Sequence, residues 1–221
     1  MKWKKTIIRL LFPDKCLLCG KLLPSPDIYL CDHCVAHTPE ALKQKQKIPF
    51  LSGAFALWYY EDDVRKSILR FKFRRRPGYA RGYGAILASK LPGITEKYDL
   101  IAWVPVSKLR KLKRGYDQVE LIAHTFCKEL QVTPASCLKK IRHNPPQSSI
   151  ASAAQRRANV LGAYKVPNPD FVKGKRILLL DDIITTGATI SECAKTLMAA
   201  GANEVYGVAV ATTRQQKRTS R

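Results

Sequence analysis

The sequence predicts an α/β fold, a parallel sheet flanked by helices, preceded by a small cysteine-rich N-terminal module. Three observations carry this. The second half of the chain alternates apolar strand-like runs with helical stripes, the pattern of a parallel sheet covered on both faces. Within it, Ile177, Leu178, Leu179 and Leu180 form a continuous apolar run, as a central parallel strand requires, and lead into Asp181, Asp182 and a Thr/Gly turn. Near the N-terminus, Cys16-x-x-Cys19 and Cys31-x-x-Cys34 stand eleven residues apart.

Residues 1–12 are basic and apolar and predict a short amphipathic helix or a disordered start. Arg9 interrupts their apolar run and no small-residue cleavage site follows, so they make a poor signal peptide. No apolar run is long enough to span a bilayer. The expected location is the cytoplasm. Residues 13–40 hold the four cysteines, and each pair offers two thiolates from one tight turn, the donor set of tetrahedral Zn²⁺. A segment this short cannot build a core without such a staple. His33 could replace a thiolate, but four sulfurs fill the shell. Disulfides or redox pairs are the alternative, which a reducing compartment disfavours. A structural zinc on Cys16, Cys19, Cys31 and Cys34 is therefore expected.

The expected organisation is 1–42 for the N-terminal segment and zinc module, 43–50 for a polar linker, 51–213 for the main domain and 214–221 for a basic tail. In the main domain a strand is expected over 54–60. A helix follows over 64–73 with Val64, Ile68 and Phe71 as its stripe, stopped by Arg74-Arg75-Arg76-Pro77-Gly78. A second helix covers 79–91 and a strand 98–106. Residues 115–130 predict an amphipathic helix with Val119, Ile122, Ala123, Phe126 and Leu130 on one face. Residues 142–159 are polar, contain proline and have no clear period. They are expected to be an irregular segment of the kind that closes over a site. The Ile177 strand, a helix over 187–200 and a strand over 204–212 complete the sheet. Cys193 falls on the apolar stripe with Ile190, Ala194 and Leu197, and Cys127 and Cys137 read as buried thiols.

Ligands of open α/β sheets bind outside the carboxyl ends of the strands. There, Thr185, Thr186, Gly187, Ala188 and Thr189 offer backbone N–H groups, three hydroxyls and a helix N-terminus, a cradle for an anion. Two carboxylates beside that cradle would repel a bare phosphate. They fit if they face hydroxyls or a metal while the loop holds the phosphate, and a ribose 5-phosphate satisfies both. A solvated acidic turn before a helix is the alternative. After the strand over 98–106, five of the seven residues from Lys108 to Arg114 are cationic. This basic loop would sit on the same sheet edge, with Lys108, Arg110 and Arg114 placed to meet a multiply charged leaving group.

The chain carries 39 Lys+Arg against 17 Asp+Glu, a net charge of +22, which attracts polyanions and phosphates. Charge alone does not separate nucleic acid from a pyrophosphate-bearing substrate. Trp58, Tyr59, Tyr60, Phe71, Phe73 and Tyr79 interleave with Arg70, Lys72 and Arg74 to Arg76. That mixture suits single-stranded nucleic acid, and equally a core of strand and helix aromatics.

The segment from Ile177 to Thr189 resembles the phosphoribosyl-pyrophosphate (PRPP) motif of type I phosphoribosyltransferases. The resemblance implies that fold, gives Asp181 and Asp182 the ribose hydroxyls and Thr185 to Thr189 the 5-phosphate, and brings Mg²⁺ with PRPP. Arg110, Arg114, Gly115, Tyr116 and Gln118 narrow it, together with Arg142 and Gln147, Arg156 with Asn159, Gly162 and Tyr164, and the four cysteines. Over about residues 13–212 the chain resembles the ComF/ComFC and GntX-like family. Asp117 stands where that pattern has Asn. The resemblance makes Arg142, Gln147 and Arg156 lid candidates. It also implies a late competence protein supporting uptake of single-stranded DNA, and fixes no acceptor. Three readings follow: an active phosphoribosyltransferase; an adaptor that senses PRPP or a nucleotide and engages single-stranded DNA and a helicase-like partner; and a PRPP-responsive transcription regulator, disfavoured because no helix-turn-helix precedes the domain.

Overall fold

The computed structural model describes residues 13–42, 47–144 and 152–214. Its centre is a four-stranded, all-parallel sheet of β1 (Gly53–Tyr59), β2 (Leu100–Trp103), β5 (Arg176–Ile184) and β6 (Glu204–Thr212), in the order β1-β6-β5-β2. The helices are α1 (Asp32–His37), α2 (Asp62–Phe73), α3 (Tyr79–Lys90), α4 (Ile94–Lys97), α5 (Lys108–Arg114), α6 (Gln118–Glu129), α7 (Ala153–Val160), α8 (Pro169–Val172) and α9 (Ala188–Ala199). A two-residue antiparallel pair, β3 (Lys139–Lys140) with β4 (Tyr164–Lys165), stands beside the sheet.

Alternation along β5 divides the interior. Leu178 and Leu180 pack with Val119, Ile122 and Phe126 of α6 and with Ile68 and Phe71 of α2. Ile177 and Leu179 pack with Ile190, Cys193, Ala194 and Leu197 of α9 on the other face. The helices following β2 and β5 thus cover opposite faces, which opens a crevice between the carboxyl ends of these neighbouring strands. Both sheet edges are covered. Ala135 donates to the Ile101 carbonyl beside β2, and Ala41 donates to the Leu57 carbonyl beside β1. At Gly84 a Cβ would lie 2.6 Å from the Phe126 amide, so α3 and α6 approach as closely as they do because no side chain intervenes.

The N-terminal residues share this core. Cys16, Leu17, Leu18 and Cys34 belong to one buried cluster with Phe71, Tyr83 and Leu87.

Several elements differ from the sequence reading. The Lys108–Arg114 segment, expected as a loop, is helix α5: Ser107 caps it by accepting from the Arg110 amide, and Gly115 closes it at φ 86°. The strand expected over 98–106 is confined to Leu100–Trp103, with one further bond at each end, from Asp99 to the Arg176 carbonyl and from Val104 to the Leu180 carbonyl, and Pro105 has no N–H to carry the ladder on. Residues 142–159, expected to be irregular, include most of α7, which opens on a reciprocal capping box between Ser152 and Gln155. The acidic pair lies inside β5, which runs on through Ile184.

Candidate functional site

The site starts from the pleat of β5. Successive side chains point to opposite faces, so Asp181 takes the Leu179 side and Asp182 the Leu180 side. Both are buried. Asp182 accepts from Lys72 Nζ of α2 at 2.8 Å and from Gln118 Nε2 of α6 at 2.9 Å. Burial works to raise its carboxyl, but the Lys72 charge and hydrogen bond, the Gln118 amide and Arg114 outweigh it and hold Asp182 below the ordinary carboxylate range. Asp181 accepts from the Asp182 amide at 2.8 Å. Burial first, and then the Asp182 charge, push its carboxyl well above the ordinary value. The two adjacent acids are thus pushed in opposite directions from the ordinary carboxylate value.

Beyond Ile184 the chain turns into α9. A small pocket here is lined by Asp181, Ile183, Thr185, Thr186, Gly187, Ala188, Thr189 and Ile190. Gly187 caps α9 at φ 73°, in the left-handed region, and a Cβ there would stand 3.0 Å from three carbons of Ile48. The Thr/Gly loop therefore lies against Asp181, while Asp182 looks toward α2 and α6.

Helix α5 follows β2 on the same sheet edge. Arg110 is half-buried, donates to the Asn144 carbonyl at 2.7 Å, and is lowered by burial and by Arg114. Arg114 lies 5.2 Å from the centre of the exposed Phe73 ring. Lys108 is exposed in the first turn. Asp117 caps α6: Oδ1 accepts from Val119 and Glu120, and Oδ2 from Val106. All three partners are donors, so a carboxylate serves here and no amide donor is needed.

Of the lid candidates, Arg142 is exposed and donates to the Leu161 carbonyl at 3.4 Å, Arg156 lies on α7, and Gln147 lies outside the described residues. Of the interleaved aromatics, Trp58 and Phe71 are core side chains, whereas Phe73 is exposed. Lys72, read with that surface, instead pairs with Asp182. Its position gave a usable signal: it stands four residues after Ile68 on the apolar stripe, where a lone lysine needs a buried partner. Gln118 matched the family pattern, but its hydrogen bond to Asp182 depends on tertiary contact.

The sulfurs of Cys16, Cys19, Cys31 and Cys34 all lie within 4.8 Å of one another. Tetrahedral zinc with Zn–S bonds of about 2.3 Å places sulfurs about 3.8 Å apart, and Cys19 and Cys31 are 3.7 Å apart. The cluster can hold one metal ion without a histidine. His33 stacks on His37 instead, with ring centres 4.4 Å apart. Cys127 and Cys137 are buried thiols pushed up to about 12 and about 11 by burial. Among the described residues no helix is long and apolar enough to cross a membrane.

Residues 119–221 match the family model of the phosphoribosyl transferase domain. Competence protein F of Haemophilus influenzae is 27% identical over 195 residues, covering 81% of this chain and 83% of the relative. DNA utilization protein YhgH of Escherichia coli K12 is 27% identical over 198 residues, 86% of this chain and 80% of the relative. Competence protein ComFC of Bacillus subtilis is 25% identical over 152 residues, 66% and 58% of the two chains. The parallel sheet and its flanking helices agree with the domain match. The chain is a homologue of the competence protein F, ComFC and YhgH proteins, built on a type I phosphoribosyltransferase fold with a four-cysteine cluster toward its N-terminus.

Proposed function

We propose that the edge between the β5–α9 turn and α5 binds PRPP with Mg²⁺, and that the protein is a phosphoribosyltransferase acting in DNA uptake. The observation that carries this reading is the buried Asp181–Asp182 pair at the carboxyl end of β5, joined directly to the pocket of the Thr/Gly loop. In this reading the Thr185–Thr189 loop and the α9 N-terminus hold the 5-phosphate. Asp181 and Asp182 hold the ribose hydroxyls, and Lys108, Arg110 and Arg114 face the pyrophosphate as it leaves. Mg²⁺ supplies charge neutralisation on phosphate oxygens and needs few protein ligands. Bond breaking at the anomeric carbon develops positive charge on the ribose, which the ionised Asp182 stabilises from a fixed position. Arg142, Gln147 and Arg156 are proposed to close over the bound substrate and exclude water. The four thiolates are assigned a structural Zn²⁺. The names of the relatives support a role in competence and DNA use, and the proposed location is the cytoplasm.

A non-catalytic adaptor is the second reading. The exposed Phe73 ring under Arg114, beside exposed Arg74, Arg75 and Arg76, favours it, because stacking plus phosphate contact suits single-stranded DNA. A helicase-like protein would be its partner.

Calorimetric titration of Mg²⁺-PRPP into the zinc-loaded protein tests the first reading. Binding is expected in the parent and lost in the Asp181→Ala/Asp182→Ala variant. Absence of binding to the parent, or unchanged affinity in the double variant, overturns it.

A further inference from the structure

We propose that the four-cysteine module is a positioning element for the carboxylate pair, acting through helix α2, with Ser67 and Arg70 as the positioning residues and Lys72 as the group they place. The module presents two backbone carbonyls to α2. Buried Ser67 donates from Oγ to the Leu17 carbonyl and shares a 2.6 Å hydrogen bond with the Tyr83 hydroxyl. Arg70 donates from Nη2 to the Leu18 carbonyl and from Nε to the Tyr79 hydroxyl at 3.0 Å. Leu17 and Leu18 lie between Cys16 and Cys19, so the turn that shapes one half of the thiolate set also aims these carbonyls.

The next residues of the same helix reach the site. Lys72 Nζ meets Asp182 Oδ1 at 2.8 Å. The Phe71 carbonyl accepts from the Tyr116 hydroxyl, just beyond the basic helix α5, and Phe73 lies under Arg114. The C-terminal half of α2 therefore ties the cysteine turn to Asp182 and to α5. An α-helix transmits such a constraint because its hydrogen-bonded turns move together.

The role of Asp182 toward a ligand rests on the proposed function, but the linkage between Arg70 and Lys72 does not. Its test has two arms. The first is a ¹³C NMR titration of the Asp182 carboxyl in the zinc-loaded protein, which needs no PRPP. The groups facing that carboxyl are Lys72 of α2, Arg110 and Arg114 of α5, Gln118 of α6, Asp181 of β5, Tyr60 after β1 and Tyr83 of α3. Arg70→Met keeps the apolar stem and removes both donated bonds. It is expected to shift the Asp182 midpoint upward, and chelation of the metal is expected to shift it the same way. In a Lys72→Met background neither change should move the midpoint further.

The second arm is Mg²⁺-PRPP affinity. Arg70→Met should weaken binding by roughly tenfold in the parent and leave it unchanged once Lys72 is Met, the signature of coupled residues. Arg70→Lys, which can reach only one of the two acceptors, should lie between. A purely structural Arg70 would lower thermal stability and leave the Asp182 midpoint where it was, or shift it equally with and without Lys72. Either result overturns the proposal. If Arg70→Met does not fold, Arg70→Lys and chelation carry the same comparison. Failure of PRPP to bind at all would count against the proposed function, while the NMR arm would still decide the linkage.

Discussion

Replacing Gly187 by alanine tests how the Thr/Gly loop is built. Gly187 holds φ 73° at the start of α9, and an added methyl would stand 3.0 Å from Cδ1, Cγ1 and Cγ2 of Ile48. Forcing an L-residue into the left-handed region costs about 1–2 kcal/mol. Crowding a packed side chain costs about 1–3 kcal/mol more. Ile48 is 8% exposed, so it cannot swing into solvent to relieve the overlap. A total of about 3 kcal/mol should lower Tm by about 6–12 °C in a chain of this size. Calorimetric melting reads this directly, and the strained loop should bind Mg²⁺-PRPP more weakly. Ile48→Ala separates the two contributions. Alone it should cost about 2–5 kcal/mol as a cavity. Combined with Gly187→Ala it should lose less than the sum, because the methyl then enters vacated space. A Tm for Gly187→Ala within about 1 °C of the parent would refute the argument, since neither backbone strain nor crowding could then be present. A strictly additive double variant would refute the crowding share alone.

Three further outcomes are expected. Asp117→Asn keeps one acceptor oxygen and turns an NH₂ toward a backbone donor, so it should cost about 1–3 kcal/mol in urea unfolding; a neutral result would mean that the three amide bonds to Asp117 do not all matter. Arg176 lowers Asp99 to about 2, by its side-chain hydrogen bond first and its backbone amide next. A depressed folded-state pKa means that this stability is complete above the unfolded carboxylate value of about 3.9 and is lost as pH falls toward about 2; Asp99→Asn should flatten that acid limb in urea titrations, and an unchanged slope would contradict the pairing. Chelation should release one zinc per chain and open residues 13–42 to proteolysis, since a metal that binds only the folded form stabilises it; equal protease resistance with and without metal would rule out a structural role.

Much of this was legible in the chain because it was written in local periods. Strand β6 runs from Glu204 to Thr212, the bounds expected for it, and α6 buries the Val119, Ile122, Ala123 and Phe126 stripe. The cysteine spacing brought four sulfurs together because short turns fix the geometry within each pair. Other features were harder to read. The charge run of α5 masks a helix whose ends are set by Ser107 and Gly115 and whose Leu109 and Leu112 face solvent. The α7 start was readable, since Ser152-x-x-Gln155 is a capping-box spacing, but proline and polar residues upstream hid it. The partners of Asp182 were the least legible, because Lys72 and Gln118 lie 110 and 64 residues away and only the packing of α2 and α6 on β5 brings them in.

The pleat of β5 has a consequence for proton traffic. Its two acids lie on opposite faces, one lowered by Lys72 and Gln118 and one raised by burial, so the pair resists taking up a second negative charge. A smaller charge on the pair means weaker repulsion of an anion at the neighbouring Thr/Gly loop. A cation that engages Asp181 through its carboxylate favours loss of the proton that burial holds there. Cation binding through that carboxylate is expected to strengthen as pH rises, with proton release measured by comparing titration heats in buffers of different ionisation enthalpy.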